Sequence, residues 1–533
     1  MSQIPKKQTF LHGTALLALA TVVVKLIGAL YKIPLNGIIG PEGFSYFNTA
    51  YEIYNVLLMI STAGLPVAMS RMVSEASTLG NYNQVRRIYG TARTLFMTIG
   101  LVCSLLMTVF CKQLANFQHQ PDAWAAIGAL GPCVLLICIM STFRGFFQGQ
   151  GNMLPTSISQ VLEAFVKLIA GMVAALVILK LTNSIPLAAG GAILGVTISC
   201  IVSSMYLLGR FRKAYAVLPV SDDTPIPFWH TAKRLLKIAI PITIGSAGLS
   251  FLIMLETNVF MGRLLGLGYS QEQADTMKGI FDMTKTIYNM PCAFITPITV
   301  SIIPAITEQL TLKNYKNAKS TGESAVRVTG LICMPCAVGL FVLAKPITAL
   351  LGGYRGDNLE LATVLMSMLG ICVMFNAMVL LSNAIMQASG HENLPVINTF
   401  IGGILRLVAV YFLCGNPNIN IMGTTIGSLL CYITIMVLNL VTMAKVVPNP
   451  PNVMKNLLRP LLAAIVMGVF TYGAWYGLTQ VLGEGTSSII LCGIPIMVGV
   501  AVYAVSAVAL KAITRDDCLL LPKGEKIANL LKL

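Results

Sequence analysis

Eight ionisable side chains fall inside stretches otherwise apolar enough to lie in lipid: Lys25, Glu52, Glu163, Lys167, Glu256, Asp282, Lys285 and Arg406. A charge at bilayer depth costs several kcal/mol unless it faces a watery cavity or a partner, so each marks a candidate site for an ion, a proton or a charged substrate. Lys25 is the clearest case. It lies near the middle of residues 14–34, about 16 Å at helical rise from one end of the run, too deep to reach the headgroups comfortably. Glu163 and Lys167 are spaced i, i+4, and Asp282 and Lys285 i, i+3. These spacings put each pair on one helix face, where mutual neutralisation competes with a functional role. Lys25 and Arg406 have no acidic residue one turn away in the sequence. Ammonium point charges and the Arg fork both suit phosphate or pyrophosphate, so Lys25, Lys285, Arg406 and Lys167 form a candidate anion-binding set. Glu256, with Asn258 nearby, and Asp282 are candidates for Na+ or proton coupling, or else partners for the basic residues.

The elements that must hold these groups are membrane helices. The chain has 533 residues, 56% hydrophobic and 11% charged, with mean hydropathy +0.78. Soluble domains carry about 25% charged residues. The length leaves room for about fourteen spans of about 20 residues. The basic N-terminus leads into an apolar run too long for a signal peptide, so that run is taken as span one. The Gly- and Pro-rich segment IGPEGFSYFN reads as a turn, and the second span follows it. The spacing predicts an all-α membrane protein of about fourteen transmembrane helices. Residues 1–213 form a first six-helix lobe, 214–235 a linker, 236–446 a second six-helix lobe, and 447–533 two extra helices and a tail. Pro66, Pro241 and Pro291 interrupt apolar segments, as prolines beside cavities often do.

The formal net charge is +16. Its distribution argues against nucleic acid, because the basic residues concentrate in alternate connections, on the side of the N-terminus. Arg86, Arg87, Arg210, Arg212, Lys213, Lys233, Lys313 and Lys316 belong to that set. This positive-inside bias predicts that both termini are cytoplasmic. The 13 cysteines lie mostly in apolar runs and read as small buried hydrophobes. Cys333 and Cys336 make one C-x-x-C without a second pair, so no metal site is expected.

Internal repetition supplies the topology. SRMVSEASTLGNYNQVRR echoes SIIPAITEQLTLKNYKNAKS, with Glu75 matching Glu308 and Asn81-Tyr82 matching Asn314-Tyr315 at one constant offset. QGQGNMLP, ending at Pro155, echoes QASGHENLP, ending at Pro395, and each opens a span with a mid-helix cation, Lys167 or Arg406. Repeats that keep order and orientation imply two similar bundles in a pseudo-twofold arrangement about an axis along the membrane normal, with substrate handled by rocking one against the other.

Four stretches carry a family resemblance: KLIGALYKIPLNGIIGPEGFSYFNTAYEIYN, STAGLPVAMSRMVSE, PITVSIIPAITE and the QASGHENLP turn. With them the sequence resembles the polysaccharide transporter family of the multidrug/oligosaccharidyl-lipid/polysaccharide exporter superfamily. Within it, the likeness is to the Gram-positive group that includes stage V sporulation protein B and the MurJ-type lipid II flippases. The resemblance implies export of an undecaprenyl-pyrophosphate-linked sugar or peptidoglycan precursor from the inner to the outer leaflet, in cell-wall synthesis or sporulation. It also implies cations on helices one and eight at the pyrophosphate. Lys25 occupies the first place, Lys285 lies near the second, and Lys32 adjoins a further helix-one position. The two extra helices would form a groove for the polyprenyl tail.

The alternative within the superfamily is a cation-coupled small-molecule exporter, with Glu256 as the coupling carboxylate. A membrane enzyme would need an acidic or metal site beside the bilayer. Asp222-Asp223 and Asp516-Asp517 read as merely solvated, and no phosphate-cradling Gly loop appears. The expectation is therefore a transporter and not an enzyme, with no cofactor beyond a coupling Na+ or H+. Its partners are a lipid-linked glycan and the surrounding membrane lipids, and nothing in the sequence calls for more than a monomer.

Overall fold

The computed structural model describes residues 10–483 and 487–512. The first nine residues, Asp516-Asp517 and the tail to residue 533 lie outside the described residues. Within that range every regular element is helical. In hydrocarbon each backbone N–H and C=O must be paired inside its own segment, and long apolar runs meet that demand as helices.

The order is α1 (Phe10–Thr62), α2 (Leu65–Thr78), α3 (Tyr82–Val109), α4 (Cys111–Phe117), a single 3-10 turn at Pro121–Ala123, α5 (Trp124–Gly149), α6 (Leu154–Thr182), α7 (Ile185–Ala216) and α8 (Phe228–Gly266). There follow α9 (Gln271–Ala293), α10 (Ile295–Thr311), α11 (Tyr315–Val342), α12 (Ala344–Gly352), α13 (Gly356–Ala388), α14 (Asn393–Leu413), α15 (Met422–Val446), α16 (Val453–Leu482) and α17 (Ser488–Ala509). Twelve segments among the described residues are long and apolar enough to cross a bilayer. One of them, Leu19–Thr78, has 60 residues, about 90 Å at helical rise, and so holds both of the first two expected spans. Expected span eight is divided between α9 and α10. It falls outside the twelve because α9 carries Glu272, Asp275, Lys278, Asp282 and Lys285.

Two local expectations need correction. The first expected turn, around residues 39–48, is helical on both sides of Gly40, which alone leaves helical geometry with φ 70° and ψ 176°. Pro41 can open a helix because its missing N–H would be unsatisfied there anyway, so a single glycine makes the whole break. The linker is also shorter than the basic run suggests, since α7 continues to Ala216 and α8 begins at Phe228. What remains is not merely solvated. The Asp223 carboxylate accepts from the backbone N–H of Asn83 (3.0 Å) and Gln84 (2.8 Å). Arg86 donates to the carbonyls of Leu218 and Pro219, and the Gln84 amide oxygen accepts from the Ile226 N–H. The linker thus caps the start of α3, where orphan N–H groups and the helix dipole favour a carboxylate. Partial desolvation of Asp223 works against its charge, but the hydrogen bonds from Ser221 and the α3 backbone outweigh it and hold the carboxyl below its usual range.

Two compact units form, Met1–Gly279 and Ile280–Leu533, and α9 crosses the division. In the first, α6 and α7 cross at bare backbone: a Cβ on Gly195 would stand 2.2 Å from the Gly171 nitrogen. Small residues at such crossings let membrane helices gain van der Waals contact that larger ones would prevent. Tyr31 of α1 reaches this crossing and donates to the Ala192 carbonyl at 3.0 Å, which sets α1 against α6 and α7. In the second unit, α11 packs on α13 and α16, α14 on α15, and α16 on α17. There Asn398, Asn439, Ser382 and Asn383 satisfy one another across α13, α14 and α15.

The repeat is visible in local geometry. Asn81 and Asn314 precede α3 and α11 with nearly the same dihedrals, φ −83°, ψ 73° and φ −89°, ψ 69°. Gly151 and Gly390 both sit at positive φ before the proline-led helices α6 and α14, a conformation in which a side chain would be strained.

Candidate functional site

A cleft of about 210 Å³ lies among α1, α5 and α6, lined by Thr21, Val24, Arg144, Gln160, Glu163, Ala164 and Lys167. Arg144 reaches it from α5, with Nε donating to Ser159 Oγ at 3.1 Å and Nη2 to Glu163 at 3.0 Å. The pair is mostly buried, at 15% and 23% side-chain exposure. Glu163 therefore does not neutralise Lys167 one turn along its own helix. It is engaged by an arginine from a different helix, and the cleft is left with one more cation than carboxylate. Gln160 adds an amide oxygen that is buried without a hydrogen-bond partner. Ligand pockets usually measure about 300–1,000 Å³, so this space suits a phosphate-sized group more than a whole glycan.

Of the other expected cations, Lys25 is exposed and follows Val24 of the cleft wall on α1. Lys32 lies two turns further along and points elsewhere, donating to Asn48 Oδ1 at 3.0 Å, with Nζ 5.9 Å from the Phe44 ring centre. Glu256 on α8 is buried at 5% exposure. Asn258, two residues on, donates to the Phe117 carbonyl, on a helix face turned by about 200° from Glu256. In the second unit Asp282 is buried. Lys285 is half-buried, with Nζ 5.8 Å from the Phe281 ring centre. Arg406 is half-buried on α14 and packs its Cγ toward Gly427 of α15.

The structure adds groups that the spacing did not single out. Arg144 escapes notice because it sits near one end of an apolar span, where an arginine reaching the headgroups is ordinary. Asp275 and Lys278 stand ahead of the apolar part of α9 and resemble loop charges, yet both are fully buried. Asp275 accepts from Gln120 Nε2 at 2.7 Å and from Gln271, and it contacts the Tyr46 hydroxyl at 3.2 Å. Burial pushes its carboxyl up to about 6, although these donors and the Lys278 charge act to lower it. Lys278 lies 3.9 Å from Glu52. A run of charged residues in the amphipathic first half of α9 was the available signal.

The polysaccharide biosynthesis protein family profile matches residues 10–309, and the MatE profile matches 281–412. The chain is 25% identical to stage V sporulation protein B of Bacillus subtilis (strain 168) over 521 residues, covering 97% of this chain and 98% of that one. It is also 25% identical to the lipid II flippase MurJ of the same organism over 414 residues, covering 75% and 76%. Among solved structures it shares its fold with lipid II flippase MurJ in an inward closed conformation, at TM-score 0.70 and 14% identity, covering 92% and 98%. An inward-facing multidrug resistance MATE family transporter matches at TM-score 0.62 and 14% identity, covering 81% and 94%. With the family profile over more than half its length and relatives along almost all of it, the chain belongs to the polysaccharide biosynthesis protein family, within the multidrug/oligosaccharidyl-lipid/polysaccharide exporter superfamily.

Proposed function

We propose that this chain moves an undecaprenyl-pyrophosphate-linked oligosaccharide or a lipid II-like peptidoglycan precursor across the cytoplasmic membrane of a bacterium by alternating access. Family membership and the named relatives support a multi-pass membrane flippase or exporter. The finer reading rests on one observation. The cleft among α1, α5 and α6 presents Arg144 and Lys167 against the single carboxylate of Glu163. A pyrophosphate entering hydrocarbon must exchange its hydration shell for fixed donors, and the Arg fork and Lys ammonium supply charge-assisted ones. Lys25, Lys32, Lys285 and Arg406 are the further cations assigned to the pyrophosphate along its route. The polyprenyl tail would stay in lipid, along the exposed apolar residues of α16 and α17 such as Val469, Phe470, Ile489 and Met497. Both termini would be cytoplasmic.

The test is a reconstituted flipping assay comparing lipid II with other polyprenyl-linked glycans. A companion experiment is complementation by Lys25→Ala in cells depleted of their own flippase. Lys25→Ala should fail to complement while still reaching the membrane, and full complementation would overturn its role. A second reading, a cation-coupled small-molecule exporter, draws on the MatE match and the burial of Glu256. Drug resistance abolished by Glu256→Gln, with cell-wall precursors unaffected, would favour it.

A further inference from the structure

Three segments far apart in sequence meet around Asp275: the α1 turn just after Gly40, the turn from Gln118 to Ala123, and the start of α9. Tyr46 contacts Glu42 Oε1 at 2.7 Å and Asp275 Oδ2 at 3.2 Å through the same hydroxyl oxygen. Gln120 spans the cluster, accepting from Thr49 while its amide nitrogen donates to Ser45 and to Asp275 Oδ1. Gln271 donates to both Asp275 oxygens and to the His119 carbonyl. A Cβ on Gly279 would stand 1.7 Å from the Pro41 carbonyl oxygen, so α9 is seated on the α1 break with no room to spare.

A phenol has one hydrogen. Both Tyr46 contacts are hydrogen bonds only when one of the two carboxyls carries a proton and donates it to the phenol oxygen. Asp275 is fully buried, whereas Glu42 is partly exposed, and burial disfavours the charged form. The proton therefore belongs on Asp275 Oδ2, which leaves Oδ1 to accept from Gln120 and Gln271. The charged and titratable groups around it are Glu42 and Tyr46 from α1, His119 and Asp122 from the turn, and Glu272 and Lys278 from α9, with Glu52 beyond Lys278.

We propose that Asp275 is a proton-binding site, reached from solvent through Glu42 and Tyr46, whose proton locks the α1 break, the 118–123 turn and the start of α9 together. Loss of the proton leaves two oxygens in contact with no hydrogen between them, and a buried carboxylate beside Tyr46. The packing then loosens. Burial alone displaces the Asp275 carboxyl upward, to about 6, in the direction that favours its protonated form. If the loosened state exposes Asp275 with an ordinary carboxyl pKa of about 3.9, opening becomes roughly tenfold more favourable between pH 5 and pH 8.

The inference goes beyond the transport reading, and its test needs no lipid substrate. Hydrogen–deuterium exchange is measured on the full-length protein in lipid nanodiscs at pH 5 and pH 8, corrected for the intrinsic pH dependence of exchange. Peptides covering residues 116–124 and 270–278 should lose roughly tenfold protection at the higher pH in the wild type. Asp275→Asn, which keeps the size and cannot ionise, should flatten that dependence. Tyr46→Phe keeps the ring but removes the oxygen that takes the proton, so the midpoint of the pH dependence should fall. Equal wild-type protection at both pH values overturns the proposal. So does an undiminished pH dependence in Asp275→Asn or, should that variant fail to fold, an unchanged midpoint in Tyr46→Phe.

Discussion

Replacing Glu163 by Gln should tighten the grip of the cleft on pyrophosphate, the opposite of what loss of a polar contact usually does. The sign comes from charge. Arg144 and Lys167 are offset by Glu163 alone, so Glu163→Gln raises the local charge by one while the amide oxygen can still accept from Arg144. Lys167→Gln lowers it by one. Neighbours one turn apart lie about 6 Å from each other. At an effective dielectric constant of about 20, one unit charge at that distance contributes about 3 kcal/mol. Partial exposure and salt reduce this to about 1–2 kcal/mol, or roughly 5- to 30-fold in affinity. Titration calorimetry with a short-chain prenyl diphosphate should therefore show Glu163→Gln binding more tightly and Lys167→Gln more weakly by that factor. The double variant should return close to wild type, since the sites act through one ligand. Weaker binding by Glu163→Gln, with Lys167→Gln unchanged, would refute the cleft as an anion site. Stronger added salt should shrink every difference.

Other consequences can be measured without substrate. Gly279→Ala places a methyl group 1.7 Å from the Pro41 carbonyl, and overpacking of two backbones should cost about 1–3 kcal/mol or more, read as a lower thermal midpoint. The Asp275 carboxyl at about 6 also sets a pH dependence of stability. Between about pH 4 and pH 6 the unfolded chain has released this proton and the folded chain has not, so stability should fall as pH rises through that window and level off above it, by about 3 kcal/mol in all. Asp275→Asn should abolish that slope. Asp223→Ala removes the carboxylate that accepts from Asn83 and Gln84, and limited proteolysis should then cut within residues 217–227 faster than in the wild type.

Much of the architecture was legible from neighbours along the chain. Apolar runs of bilayer length must be helices because lipid offers no other partner to the backbone. The paired echoes at Asn81 and Asn314, and at Gly151 and Gly390, became paired backbone conformations because caps and left-handed turns depend on the few residues beside them. The same local logic erred at residues 39–48, where one glycine at φ 70° did the work expected of a loop. Partner choice was a different matter. Spacing along α6 matched Glu163 with Lys167, yet packing of α5 on α6 brought Arg144 to 3.0 Å. Nothing in the linker pattern placed Asp223 at the head of α3, and nothing in a loop-like aspartate placed Asp275 between Tyr46 and Gln120. Backbone conformation answers to forces within a turn or two, so the sequence determined it. Charge and proton occupancy depend on distances of a few ångströms between distant segments, and only tertiary packing decided those.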